Sequence, residues 1–144
     1  MVSVMYRGFF WGGNVEKKSI LLVDDEMYFR ASLRDVLENE GFHVVEAENG
    51  IEAKKLLEDM VFDIVITDIL MPEMDGLELL VGLRSRNLPT RVITMSGGGR
   101  LGAELYLRLS GIHDAVHTSL TKPFTIEQML GAISRAMAAG NGNA

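Results

Sequence analysis

Cysteine is absent from the 144-residue chain, which excludes a disulfide framework and a thiolate-held metal. Any metal must therefore be bound through oxygen or imidazole. No apolar run approaches the roughly 20 residues needed to span a bilayer. Residues 1–18 are not expected to act as a secretory signal, because Arg7 and Gly8 interrupt the apolar stretch that one needs. Basic residues are the minority, 14 Lys+Arg against 20 Asp+Glu, for a formal net charge of −6. That balance argues against nucleic acid or an anionic membrane surface as a partner, since both call for a basic patch. With 47% hydrophobic and 24% charged residues, wholesale disorder is excluded as well. The length suits one domain of roughly 100–150 residues.

The two ends differ from the middle. Residues 1–18 show no helical or strand period, yet hold Tyr6, Phe9, Phe10 and Trp11. They are expected to form a flexible leader, with docking on a surface as the alternative. Residues 140–144 are Gly/Asn-rich and are expected to form a disordered tail. The domain proper spans 19–139, with 11 basic and 19 acidic residues. Within it, short apolar runs alternate with amphipathic ones. Strands are expected at Ile20–Val23, Phe42–Glu46, Asp63–Asp68, Arg91–Met95 and Val116–Thr121. Helices are expected at about Glu26–Glu40, Gly50–Met60, Leu77–Arg86, Leu101–Ser110 and Thr125–Ala139. Phe29, Leu33, Val36 and Leu37 would face inward from the first helix, and Ala53, Leu56, Leu57 and Met60 from the second. Five strand–helix pairs in alternation imply βαβ crossovers, hence a doubly wound α/β fold with a parallel sheet covered on both faces. The runs ILLV, DIVIT and RVITM are nearly continuous in apolar residues, as such a sheet requires.

In open α/β sheets, ligands bind outside the carboxyl ends of the strands. Asp24, Asp25, Asp68, Ser96 and Lys122 stand just past four of those ends. Two carboxylates about 4 Å apart repel by roughly 4 kcal/mol at an effective dielectric near 20, so the cluster calls for a cation. Mg²⁺ suits an all-oxygen site that a phosphate can complete. Taken singly, each residue has another reading. Asp24 or Asp25 could N-cap the first helix, and Ser96 the fourth. Asp68 could be a turn residue, and Lys122 a solvated surface group. Their coincidence at the strand ends favours a common site.

The motifs ILLVDDE, DIVITDILMPEMDG, VITMSG and LTKPF, in this order, resemble the response-regulator receiver domain of bacterial two-component signalling. The resemblance covers about Ser19–Ala139. It implies a flavodoxin-like fold of five strands in the order 2-1-3-4-5 with five helices. It also implies that Asp68 accepts a phosphoryl group from a phosphohistidine, and that Asp25 binds Mg²⁺ with Asp24 assisting. Further implications are that Mn²⁺ can substitute for Mg²⁺ and that the Leu70 carbonyl is another ligand. Ser96 and Lys122 would hold the phosphoryl oxygens, and the Lys122–Pro123 bond would be cis.

Two departures stand out. Ser119 occupies the position where the family often has an aromatic switch residue. Leu70 and Gly98 occupy positions that tune phosphate lifetime, and neither side chain can hold a hydrolytic water. The expected partners are a sensor histidine kinase or phosphotransfer protein and a downstream protein target, in the cytoplasm. Only the tail follows Ala139, so a stand-alone receiver is expected, signalling by binding a partner protein or passing the phosphoryl group on; the resemblance further implies a phosphoacceptor signalling domain and not an enzyme of separate substrates. The alternatives are a constitutive receiver-fold interaction module and a metal-dependent phosphohydrolase.

Overall fold

The computed structural model describes residues 17–69, 76–86, 89–97, 111 and 116–139. The leader up to residue 16, Leu70, Gly98, the helix expected at Leu101–Ser110, and the tail lie outside the described residues. In chain order the elements are β1 (Ser19–Val23), α1 (Met27–Asn39), β2 (His43–Ala47), α2 (Gly50–Asp59), β3 (Ile64–Asp68), α3 (Gly76–Arg86), β4 (Arg91–Ser96), β5 (Thr118–Thr121) and α4 (Ile126–Ala139). All five strands are parallel, in the order β2-β1-β3-β4-β5. This is the doubly wound flavodoxin-like sheet, with four helices among the described residues. None of them is long and apolar enough to cross a membrane.

The unbroken apolar runs split between two layers because successive side chains of a strand point to opposite faces. Ile20, Leu22, Ile64, Ile66, Ile93 and Met95 pack beneath α1 and α4. Leu21, Val23, Val65 and Val92 pack beneath α2 and α3. The helices are bounded by local chemistry. Asn49 caps α2, its side chain accepting the Glu52 N–H at 2.8 Å. Thr125 and Gln128 form a reciprocal capping box at the start of α4. Gly41, at φ +100°, ends α1 in a Schellman motif, its N–H donating to the Glu38 carbonyl and that of Phe42 to Leu37.

Three local expectations are corrected, and one alternative reading is set aside. Val36 is exposed, lying at the edge of the α1 stripe while Leu33 and Leu37 carry the buried contact. Met60 is exposed because it is the C-cap of α2, in extended conformation, so its side chain has left the helical period. Strand β5 starts at Thr118 rather than Val116; just before it the His117 N–H donates to the Val92 carbonyl at 2.8 Å, while the Val92 N–H is taken by His117 Nδ1 at 3.0 Å and not by a main-chain carbonyl. The N-cap of α1 is Glu26, with no side-chain cap, which leaves the Asp24 and Asp25 carboxylates for another purpose.

Gly76 shows how closely α3 approaches the end of β3. Its N–H donates to the Ile69 carbonyl at 2.7 Å, and a Cβ there would collide with the Asp68 carbonyl oxygen and the Ile69 Cα. A Cβ on Gly82, in the same helix, would meet nothing within 4 Å. Gly76→Ala should therefore lose about 1–3 kcal/mol through overpacking against backbone. Gly82→Ala should instead gain about 0.4–1 kcal/mol. Urea unfolding of the two variants checks the pair, and equal effects would contradict the close approach.

Candidate functional site

The carboxyl ends of β1 and β3 lie side by side because the two strands pair directly, Val23 opposite Thr67. The residues that follow them are therefore neighbours, although 43 positions separate Asp25 from Asp68 in the chain. Asp24, Asp25 and Asp68 each offer a carboxylate oxygen, all within 4.8 Å of one another. Asp24 is fully buried, Asp68 half-buried and Asp25 exposed.

Lys122, at the end of β5, reaches back across the sheet into this group. Its Nζ donates to Asp24 Oδ2 at 2.7 Å and to Asp68 Oδ2 at 3.2 Å, with Glu26 Oε1 at 3.4 Å. The ammonium also lies 4.3 Å from the centroid of the Phe29 ring, which packs edge-on against Phe124. The aromatic face favours a cation at that point, and the ring shields it from water. The Lys122–Pro123 bond is cis. Ser96 ends β4, one residue beyond the register partner of Asp68, and its carbonyl accepts the Lys122 N–H at 2.7 Å.

Burial pushes the Asp68 carboxyl above the usual carboxylate range. Lys122 opposes that rise, whereas the charges of Asp24 and Asp25 add to it. Burial alone would lower the Lys122 ammonium, but Asp24 and then Asp68 outweigh it and hold its pKa above the ordinary lysine value. Asp68 is thus a carboxylate whose ionised form is held at a cost. One ammonium does not neutralise three acids, and the all-oxygen, anionic donor set fits a hard divalent cation such as Mg²⁺.

The structure brings Asp24, Asp25, Asp68 and Lys122 together and sets Ser96 beside them, while Leu70 lies outside the described residues. Sequence reasoning overlooked Glu26 and Phe29 as neighbours of the lysine. The third acid of the run DDE was a visible signal for Glu26. Phe29 stood on the apolar face of its helix, with no sign that its ring would meet a cation.

The chain as a whole is similar to known proteins. The response regulator receiver domain family matches residues 20–134. The chemotaxis protein CheY of Listeria monocytogenes is 37% identical over 118 residues, which is 81% of this chain and 96% of that protein. The chemotaxis protein CheY of Bacillus subtilis is 34% identical over 119 residues, again 96% of its length and 82% of this chain. Among solved structures, a response regulator receiver domain protein from Clostridium thermocellum is similar at a TM-score of 0.74 and 27% identity, covering 84% of this chain and 94% of that one. The response regulator protein TrrA of Thermotoga maritima, solved in complex with Mg²⁺–BeF, is similar at a TM-score of 0.71 and 30% identity. There the coverage is 83% of this chain and 98% of that one.

The charge arithmetic of the site can be tested without any ligand. In EDTA at neutral pH, Lys122→Met should destabilise the protein by about 1–3 kcal/mol. This is less than the roughly 3–5 kcal/mol for breaking a fully buried pair, because the lysine keeps some solvent access. Asp68→Asn should be at least as stable as wild type. A raised folded-state pKa means that the ionised form opposes folding, a cost present above that pKa and gone as pH falls below the unfolded value near 4. Urea unfolding measures both, and a marked loss of stability in Asp68→Asn would contradict the burial argument.

Proposed function

Since the chain belongs to the response regulator receiver domain family, we propose that it is a phosphoacceptor whose reacting group is the Asp68 carboxylate. The observation that carries this reading is the placement of Asp68, half-buried at the end of a central strand, with Lys122 Nζ 3.2 Å from its Oδ2 and oxygens of Asp24 and Asp25 within 4.8 Å. A phosphohistidine on a sensor kinase or phosphotransfer protein is the proposed donor. An Asp68 oxygen attacks phosphorus, the new P–O bond forms as the P–N bond breaks, and the electron pair returns to the imidazole. Such a transfer is governed by positioning and by neutralisation of the phosphoryl oxygens. Lys122, already 3.2 Å from Asp68 Oδ2, is placed to pair with one of those oxygens. The hydroxyl of Ser96 is proposed to donate to another.

Asp25 and Asp68, with Asp24 assisting, would hold Mg²⁺ or Mn²⁺, and the bound ion supplies positive charge to the remaining phosphoryl oxygen. The reading extends to signalling by contact with a downstream protein, as a receiver acting on its own and not as an enzyme with a separate substrate. Retention of all three acids and the lysine disfavours a constitutive module, which would have no use for so costly a cluster.

After incubation with acetyl phosphate and Mg²⁺, intact-mass measurement should show one phosphoryl increment on wild type and none on Asp68→Asn. An adduct of normal yield on that variant would overturn the assignment. Asp25→Ala should weaken Mg²⁺ binding at least tenfold, a loss of about 1.4 kcal/mol or more, because a direct ligand and its charge are removed. Lys122→Ala should not weaken Mg²⁺ binding, since it removes a competing cation from the acids, and should instead lower beryllofluoride binding. Titration calorimetry separates the two effects.

A further inference from the structure

Arg30 has no part in the chemistry above, yet its side chain is mostly buried and makes two directed contacts. Its Nε donates to Glu46 Oε1 at 2.7 Å, and its Nη1 donates to the main-chain carbonyl of Asp24 at 2.5 Å. The second oxygen of Glu46 accepts from Arg34 Nη1 at 2.9 Å. Arg30 and Arg34 lie four apart, on one face of α1, so both reach the same carboxylate on β2. The sheet contributes the opposite contact, with the Asp24 N–H donating to the Ala47 carbonyl at 3.1 Å. Its side chain is held as well, Oδ1 by the Glu26 N–H at 2.8 Å and Oδ2 by Lys122. All four polar groups of Asp24 therefore have fixed partners. The Arg30 contact differs from the others in acting on the peptide that joins Asp24 to Asp25.

We propose that Arg30, buttressed by Glu46, is a positioning residue that sets the Asp24–Asp25 peptide and thereby aims the exposed Asp25 carboxylate at the cation site. Asp25 is the one member of the acidic trio that solvent could swing away from the others. Orienting partners of metal ligands commonly alter affinity by about 10–100-fold when removed. Charge and geometry make opposite predictions here. As a mere cation near an acidic site, Arg30 repels a divalent ion, and its loss would tighten binding. As a strut, its loss loosens the ligand and weakens binding. The inference rests on the metal reading above, so one of its measurements is made without metal.

The test compares the full chain with Arg30→Met, Arg30→Lys and the charge-neutral pair Arg30→Met with Glu46→Met. The measurements are Mg²⁺ affinity by calorimetry and amide hydrogen exchange at Asp25 and Glu26 in EDTA. All three variants should bind Mg²⁺ roughly tenfold more weakly and exchange those two amides faster, with remote core amides unchanged. Tighter Mg²⁺ binding in Arg30→Met, or unchanged binding in the neutral pair, would overturn the proposal, as would unaltered exchange at both amides. Should Arg30→Met fail to fold, Arg30→Lys, which keeps the charge and loses the fork, decides by the same readouts. A wild-type chain that binds no Mg²⁺ would remove the phosphoacceptor reading, whereas the exchange measured in EDTA would still decide whether Arg30 sets the peptide.

Discussion

Three carboxylates crowded against a single ammonium set the terms for the rest of this molecule. Asp24 is fully buried, and an unpaired charge at that depth would cost several kcal/mol. Its pairing with Lys122 at 2.7 Å is accordingly the contact on which the others depend. The lysine can serve because β5 ends two strands away from β3, on the far side of β4, and its long side chain spans the gap. Phe29 and Phe124 then limit where the ammonium can go. What results is a site of three acids against one ammonium, in which burial first, and then the charges of Asp24 and Asp25, push the Asp68 carboxyl above its ordinary range. The apolar layers on the two faces of the sheet carry the stability that such a site consumes.

The parallel sheet was legible in the chain because its central strands are apolar on both faces and end abruptly at acids. ILLV stops at Asp24, and DIVIT stops at Asp68. Those boundaries depend on local hydropathy, which a sequence carries directly. Lys122 was placed at a strand end by the same kind of signal, although nothing in the sequence measures its reach to Asp24. The errors came where a side chain or a cap competes with the regular backbone pattern. At the start of β5 the His117 ring nitrogen takes the Val92 N–H, and Met60 falls just beyond the helix whose period it appeared to share.

Contacts that involve main-chain groups were the least visible. The Arg30 bond to the Asp24 carbonyl and the approach of Gly76 to the end of β3 leave no mark on a hydropathy pattern. A glycine can signal a tight approach, but only the folded chain shows what it approaches. The i,i+4 arginines of α1 gave a hint of a shared partner, and the identity of that partner required the register of β2 beside β1.

The alternation of side chains in β1 has a consequence for how the length of the chain can vary. Leu22 and Val23 back onto different layers, so adding one residue inside the strand would exchange the layers and rotate the following acids to the wrong face. The distance from ILLV to the Asp24–Asp25 pair cannot drift. At the opposite end of the sheet, the connections between Glu40 and Phe42 and between Met60 and Asp63 lie away from the acids, and loop closure costs little with added length. Insertions and deletions should accumulate at that end, leaving the acidic rim the segment of least variable length.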